Sequence, residues 1–290
     1  MLKGLFTALV TPFKKDGTID EDAYRALIEK QIEAGVAGVS PCGTTGESPT
    51  LSYEEHNNLI RIAVEQVKGR CEVLAGTGSN STQEAIMLTE HAKAMGATAS
   101  LQIVPYYNKP TQEGMYQHFK TIAEAVDIPI VVYNIMGRTG VNMQTDTLMR
   151  LAKIKNIVGV KEASGNVSQM IDVINAAPEG FSVLSGDDKL TLPLIACGGH
   201  GLVSVASNVL PKKMNDFVNA GLNGDFATMQ KMNKELADLF GKMFIETNPI
   251  PVKKLMALKG WIESAYRLPL CEPKDSTTEV MKELIKKYGI

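Results

Sequence analysis

The sequence predicts an α/β fold, a closed (β/α)8 barrel with a C-terminal helical appendage, on three observations. Short apolar runs alternate with amphipathic helical runs about every 25 to 35 residues, the spacing of a β/α unit. Eight such units fit before residue 225 of the 290, and beyond it the strand signal stops. Eight β/α units close on themselves as a TIM barrel whose strands are covered by helices.

The eight runs are residues 5–10, 36–40, 72–75, 99–104, 129–133, 157–161, 181–185 and 201–205. Each is short and almost continuously apolar, as a strand buried on both faces must be, and each runs into glycine, proline or polar residues. Between them, Ser52-x-x-Glu55 and Ser81-x-x-Glu84 match the capping box that satisfies free amides at a helix start. Residues 226–242, 251–263 and 276–288 read as helices, the last opened by Ser276-x-x-Glu279. The expected division is a catalytic barrel of residues 1–225 and a helical region of residues 226–290. An open doubly wound sheet is the alternative, but no Gly-x-Gly-x-x-Gly follows the first run to mark a dinucleotide site.

Composition narrows the partners. With 44% hydrophobic and 21% charged residues the chain has the balance of an ordinary globule. A formal charge of -2 and no long Lys or Arg run leave no electrostatic footprint for nucleic acid or an anionic membrane. No apolar stretch approaches the roughly 18 residues that span a bilayer. The opening run is interrupted by Pro12 and then Lys14-Lys15-Asp16-Gly17, which reads as strand and turn rather than a secretion signal. Cys42, Cys71, Cys197 and Cys271 are scattered, without C-x-x-C spacing. They suit a reducing cytoplasm, with the thiols mostly buried and inert.

Chemistry in such a barrel sits where strands end. Run six, Asn156-Ile-Val-Gly-Val-Lys161, ends in a lysine. Alternation puts Gly159 and Lys161 on the cramped inner face, and Val158 and Val160 toward the helices. Taken alone, a lysine at a strand end is more often a snorkelling surface residue. Its neighbours at the other strand ends reverse that reading: Gly43-Thr44-Thr45-Gly46-Glu47 after run two, Pro105-Tyr106-Tyr107-Asn108 after run four, Tyr133-Asn134 with Gly137-Arg138-Thr139-Gly140 after run five, and Gly186-Asp187-Asp188 after run seven.

At its unperturbed pKa of about 10.4, fewer than about one lysine in a thousand is neutral at pH 7, so burial that lowers the pKa contributes directly to attack on a carbonyl. A neutral Lys161 would form an imine with a 2-oxo acid. Tyr133, inward by the same alternation, can transfer the protons, with Thr44 and Tyr107 passing them to water. The amides and hydroxyls of Gly43-Thr44-Thr45 suit one carboxylate and the planar fork of Arg138 a second. Asp187-Asp188 invites a metal reading, but His56, His91, His118 and His200 have no ligand spacing, so no metal is expected.

These motifs, together with Ser48 and Lys161-Glu162-Ala163-Ser164-Gly165, resemble the 4-hydroxy-tetrahydrodipicolinate synthase family over essentially the whole chain. The resemblance implies condensation of pyruvate with L-aspartate-4-semialdehyde in the lysine and diaminopimelate pathway, through a pyruvate Schiff base on Lys161 and without a metal or organic cofactor. It implies that Tyr133 donates and accepts the proton, that Thr44 and Tyr107 complete its relay, and that Tyr107 comes from a neighbouring subunit of a homotetramer, a dimer of dimers. Thr45 would hold the pyruvate carboxylate and Arg138 the semialdehyde carboxylate, with Gly186 and Val203 lining the pocket. Ile135-Met136 departs from the family, which commonly has proline before the glycine of the arginine loop.

Resemblance to members inhibited by L-lysine points to a second site at Ser48, Pro49, His56, Asn80, Glu84 and Tyr106, where Glu84 would meet the ligand's α-amino group. Pro49 and Tyr53 stand where well-known sensitive enzymes have alanine and histidine. Related aldolases such as N-acetylneuraminate lyase share the lysine and tyrosine, but Arg138 and Thr44 argue against a sugar-chain substrate. A non-catalytic sensor of 2-oxo acids is the remaining class, disfavoured because every reacting group is present.

Overall fold

The computed structural model describes residues 1–290. Strands β1 (Gly4–Ala8), β2 (Gly38–Ser40), β3 (Glu72–Gly76), β4 (Ala99–Ile103), β5 (Ile130–Asn134), β6 (Ile157–Glu162), β7 (Ser182–Ser185) and β8 (Gly201–Ser204) form a closed parallel barrel in chain order, β8 pairing back onto β1. Closure removes the open-sheet alternative. The helices are α1 (Glu21–Glu33), α2 (Tyr53–Val67), α3 (Thr82–Met95), α4 (Gln112–Ala125), α5 (Met136–Thr139), α6 (Thr145–Leu151), α7 (Val167–Ala176), α8 (Thr191–Ala196), α9 (Pro211–Leu222), α10 (Phe226–Lys242), α11 (Ile250–Leu258) and α12 (Asp275–Tyr288). None is long and apolar enough to cross a membrane.

Local chemistry explains most starts and stops. Ser52 and Glu55 form a complete capping box at α2, Glu54 and Glu55 oppose the helix dipole, and Leu59, Ile60, Ala63 and Val67 bury one face. At α3 only half of the expected box exists. Ser81 accepts from the Glu84 amide, but the Glu84 carboxylate turns away to the hydroxyls of Ser79 and Tyr53. Helix α12 starts one residue before Ser276, with Lys274 at its cap and no side-chain bond there, so Ser276-x-x-Glu279 is not a capping box. Helix α11 stops at Leu258, short of the expected 263, because Gly260 adopts φ +69 just beyond it.

Two apolar layers follow from strand alternation. Phe6, Ala8, Leu74, Leu101, Val131, Tyr133, Leu184 and Val203 fill the barrel interior. Val39, Val73, Val132, Val160 and Val183 meet the helices in a much larger outer core. That core continues into Leu236, Phe240, Leu255, Met281 and Leu284, so the C-terminal helices share it. Burying each such side chain contributes roughly 1.5–3 kcal/mol.

Two expectations need correction. Ile130 pairs with Ile157 but Val131 with Gly159, a register shift that skips Val158 and turns it toward the inner cluster rather than the helices. Of the cysteines, Cys42 is buried and Cys71 partly so, but Cys197 and Cys271 are exposed, lying just beyond α8 and in the α11–α12 connection.

The interior tolerates little added volume. A Cβ at Gly159 would come within 2.6 Å of the Ser182 carbonyl oxygen on the paired strand. Gly159→Ala is expected to lower unfolding free energy by about 1–3 kcal/mol, seen as a lower urea midpoint at unchanged m-value.

Candidate active site

Lys161 and Tyr133 are register partners on β6 and β5, so strand pairing alone sets them side by side at the carboxyl end of the barrel. The Lys161 Nζ lies 4.1 Å from the centroid of the Tyr133 ring. Lys161 is only 6% exposed. Burial drives its pKa from an ordinary 10.5 to about 7; the Asp188 carboxylate opposes that shift and the Arg138 guanidinium adds to it. About half of the amines are then neutral at pH 7, which makes Lys161 a competent nucleophile.

Gly186, directly after β7, makes the lysine's position possible. A Cβ there would lie 2.6 Å from the Ala163 Cβ and 3.1 Å from the Lys161 Cε, while the Gly186 amide donates to the Glu162 carbonyl at 2.8 Å. Val203 and Leu184 supply apolar interior below. Burial pushes the Tyr133 phenol up to about 12, partly opposed by the Arg138 charge and the nearby Thr44 hydroxyl. It therefore holds its proton at neutral pH and can donate it to a developing alkoxide.

The loop after β2 folds back on itself, with the Gly46 amide donating to the Gly43 carbonyl and the Glu47 amide to the Thr44 carbonyl, both at 3.1 Å. It buries Thr45, whose Oγ1 accepts from the Asn248 Nδ2 at 3.0 Å. Arg138, on the single turn α5, donates from Nη2 to the Asn248 main-chain carbonyl at 3.3 Å. One residue of the appendage thus meets both groups expected to bind carboxylates.

Sequence reasoning missed three partners. Asp188, weighed only as a metal ligand, is buried; it accepts from the Ser204 Oγ at 2.5 Å and from the Val205 and Ala206 amides at 3.2 and 3.3 Å. Burial lifts its pKa to about 6 despite those bonds. Glu47 forms a buried ion pair with Lys253 of α11. Asn248 had no sequence signal at all, whereas Glu47 stood unused inside a quoted motif.

Tyr107 is not brought to Lys161 within the chain: it is 88% exposed, at φ +73. Tyr106 joins another group, its carbonyl accepting from the Asn80 Nδ2 at 3.1 Å. Near it Glu84 accepts from Tyr53 and Ser79, and His56 bonds the Gly76 carbonyl at 2.8 Å. Ser48 and Pro49 open a 3-10 turn, Ser48–Thr50, leading toward α2.

The model of the dihydrodipicolinate synthetase family matches residues 1–288. The chain belongs to this family. It is 53% identical to the 4-hydroxy-tetrahydrodipicolinate synthase of Syntrophus aciditrophicus over 290 residues, covering 100% of this chain and 99% of the relative. Among solved family structures, dihydrodipicolinate synthase from Aquifex aeolicus is 48% identical with a TM-score of 0.97, over 99% of this chain and 98% of that one. The chloride-inhibited synthase of Acinetobacter baumannii, complexed with pyruvate, is 43% identical with a TM-score of 0.98 over 100% of both chains. A family member from Cyanidioschyzon merolae with lysine bound is 40% identical with a TM-score of 0.96, over 99% of this chain and 98% of that one.

Burial of Lys161 carries a stability cost with a defined pH window. Because its folded pKa lies near 7 against an ordinary 10.5, the unfolded chain binds the proton more tightly. The cost is complete below about pH 7 and gone above about pH 10.5. Lys161→Met is expected to be more stable than wild type by roughly 2–4 kcal/mol at pH 7, with the gap closing as pH rises, in paired urea titrations.

Proposed function

We propose that this chain is a 4-hydroxy-tetrahydrodipicolinate synthase, condensing pyruvate with L-aspartate-4-semialdehyde for lysine and diaminopimelate biosynthesis. The observation that carries the reading is the buried Lys161 amine set against the Tyr133 ring at the carboxyl end of the barrel. The Lys161 Nζ attacks C2 of pyruvate, and loss of water leaves an imine. Loss of a C3 proton gives an enamine, whose carbon attacks the aldehyde of the second substrate while Tyr133 protonates the new alkoxide. The substrate's own amine then adds to C2 and displaces Lys161, closing the ring.

Thr45 and the neighbouring loop amides receive the pyruvate carboxylate and Arg138 that of the semialdehyde, in keeping with their shared contact to Asn248. An arginine fork suits a carboxylate better than a sugar hydroxyl chain, which favours the synthase over the related aldolases. Thr44, whose hydroxyl is close enough to lower the Tyr133 pKa, passes its proton outward. Tyr107 completes the relay from a neighbouring subunit of a homotetramer, a role supported by its exposure here.

Incubation with pyruvate and borohydride should add about 72 Da, mapped to Lys161, and Lys161→Ala should form no adduct. Arg138→Ala should keep the adduct but lose about 100-fold in kcat/KM for the semialdehyde. A wild-type chain that stays unmodified by fresh reagents sinks the imine mechanism.

A second reading concerns regulation. We propose that L-lysine binds weakly where Asn80, Glu84 and Tyr106 gather, on the support of the lysine-bound family member. Both Glu84 oxygens already accept a hydroxyl, from Tyr53 and Ser79, so the ligand's ammonium shares each oxygen with a donor already in place. Millimolar L-lysine is expected to inhibit only partially, and Tyr53→His to sharpen the response. Steady-state rates insensitive to L-lysine in both proteins would remove the site.

A further inference from the structure

The resemblance that identified Thr45 left Asn248 without a role, and the structure places it behind that threonine. Asn248 is 4% exposed and Thr45 is 3% exposed, so the hydrogen bond between them is out of water. A hydroxyl has one proton and two lone pairs. With the Asn248 Nδ2 donating to Oγ1 at 3.0 Å, the Thr45 proton remains for another acceptor. The Asn248 Oδ1 is buried without a partner, so within the protein this carboxamide serves through its donor end.

Asn248 is itself held from two sides. Its main-chain carbonyl accepts from Arg138, and five residues on, Lys253 is ion-paired with Glu47, two residues past Thr45. The Lys253 ammonium also lies 4.4 Å from the Phe13 ring centroid. The Arg267 amide reaches the other Glu47 oxygen at 3.5 Å. The start of α11 is thereby fixed against the loop that bears Thr45.

We infer that Asn248 is a positioning residue for the 2-oxo acid: by donating to Thr45 it directs the threonine O–H toward the substrate carboxylate. The inference rests on the carboxylate-binding role proposed for Thr45. It separates a donor role from mere packing, because the isosteric Asn248→Asp should be worse than Asn248→Ala. An aspartate cannot donate to Thr45, accepts the threonine O–H as a hydrogen bond and so turns it from the substrate, and sets an anion beside an anion site.

The test is kcat/KM for each substrate in wild type, N248A, N248D, T45V and the T45V/N248A double variant, with folding checked by circular dichroism and Tm. In a mechanism with a covalent intermediate, each kcat/KM reports its own half-reaction. N248A should lower the pyruvate value about tenfold and leave the semialdehyde value within about twofold. N248D should lower the pyruvate value further, and N248A should add nothing in the T45V background.

Equal losses for both substrates, a milder N248D, or a full N248A effect on top of T45V overturns the inference. Should N248A not fold, N248S, whose hydroxyl is too short to span the gap, is judged by the same ratios. Wild-type protein that forms no pyruvate adduct overturns the synthase reading and this inference together. Adduct in wild type with unaltered pyruvate kinetics in a folded N248A or N248S overturns the inference alone.

Discussion

An ammonium ion taken almost wholly out of water loses hydration that nearby dipoles only partly replace, and at Lys161 that loss exceeds the attraction of Asp188. Much of the molecule is arranged around this imbalance. The closed barrel supplies an interior ring too narrow for bulk solvent. Gly159 and Gly186 keep that ring open where the lysine stem and the adjoining strand pass. The Tyr133 ring gives the amine an electron-rich face without a full counter-charge. Had a carboxylate paired closely with Lys161, the charged form would have won and the amine would have stayed protonated at neutral pH.

Asp188 shows how finely that balance is set. Its carboxylate is buried and takes three hydrogen bonds from Ser204, Val205 and Ala206, yet burial still lifts its pKa to about 6. It ionises near neutrality, so its attraction for a cation on Lys161 only partly offsets the effect of burial on the amine. The fully buried side chains of Asn134 and Glu162, next after Tyr133 and Lys161, bond each other at 3.2 Å and reinforce the strand register that sets those two side by side.

The side of the site that holds Thr45 and Arg138 relies on a different interaction. Lys253 and Glu47 are both buried, so removing either one would strand a charge at a cost of several kcal/mol, although the intact pair adds little net stability. What the pair contributes is placement. It holds helix α11 against the loop after β2, and Asn248 then spans from Thr45 to Arg138. The appendage therefore shares both the outer core of the barrel and the wall of its site.

By itself the sequence determined the elements and which polar side chains gather at the strand ends. Each of the eight apolar runs overlaps a strand to within a residue or two, because a strand buried on both faces must be apolar, and Lys161, Tyr133, Thr44, Thr45 and Arg138 stand at or just beyond strand ends. Tertiary structure decided what no local pattern carries. The register shift that turns Val158 inward depends on a neighbouring strand, and the half-formed cap at Ser81 on a hydroxyl from another helix. Asn248 reaches Thr45 across 203 residues of sequence and Lys253 reaches Glu47 across 206, separations at which only the closed fold, not propensity or periodicity, brings polar groups together out of water.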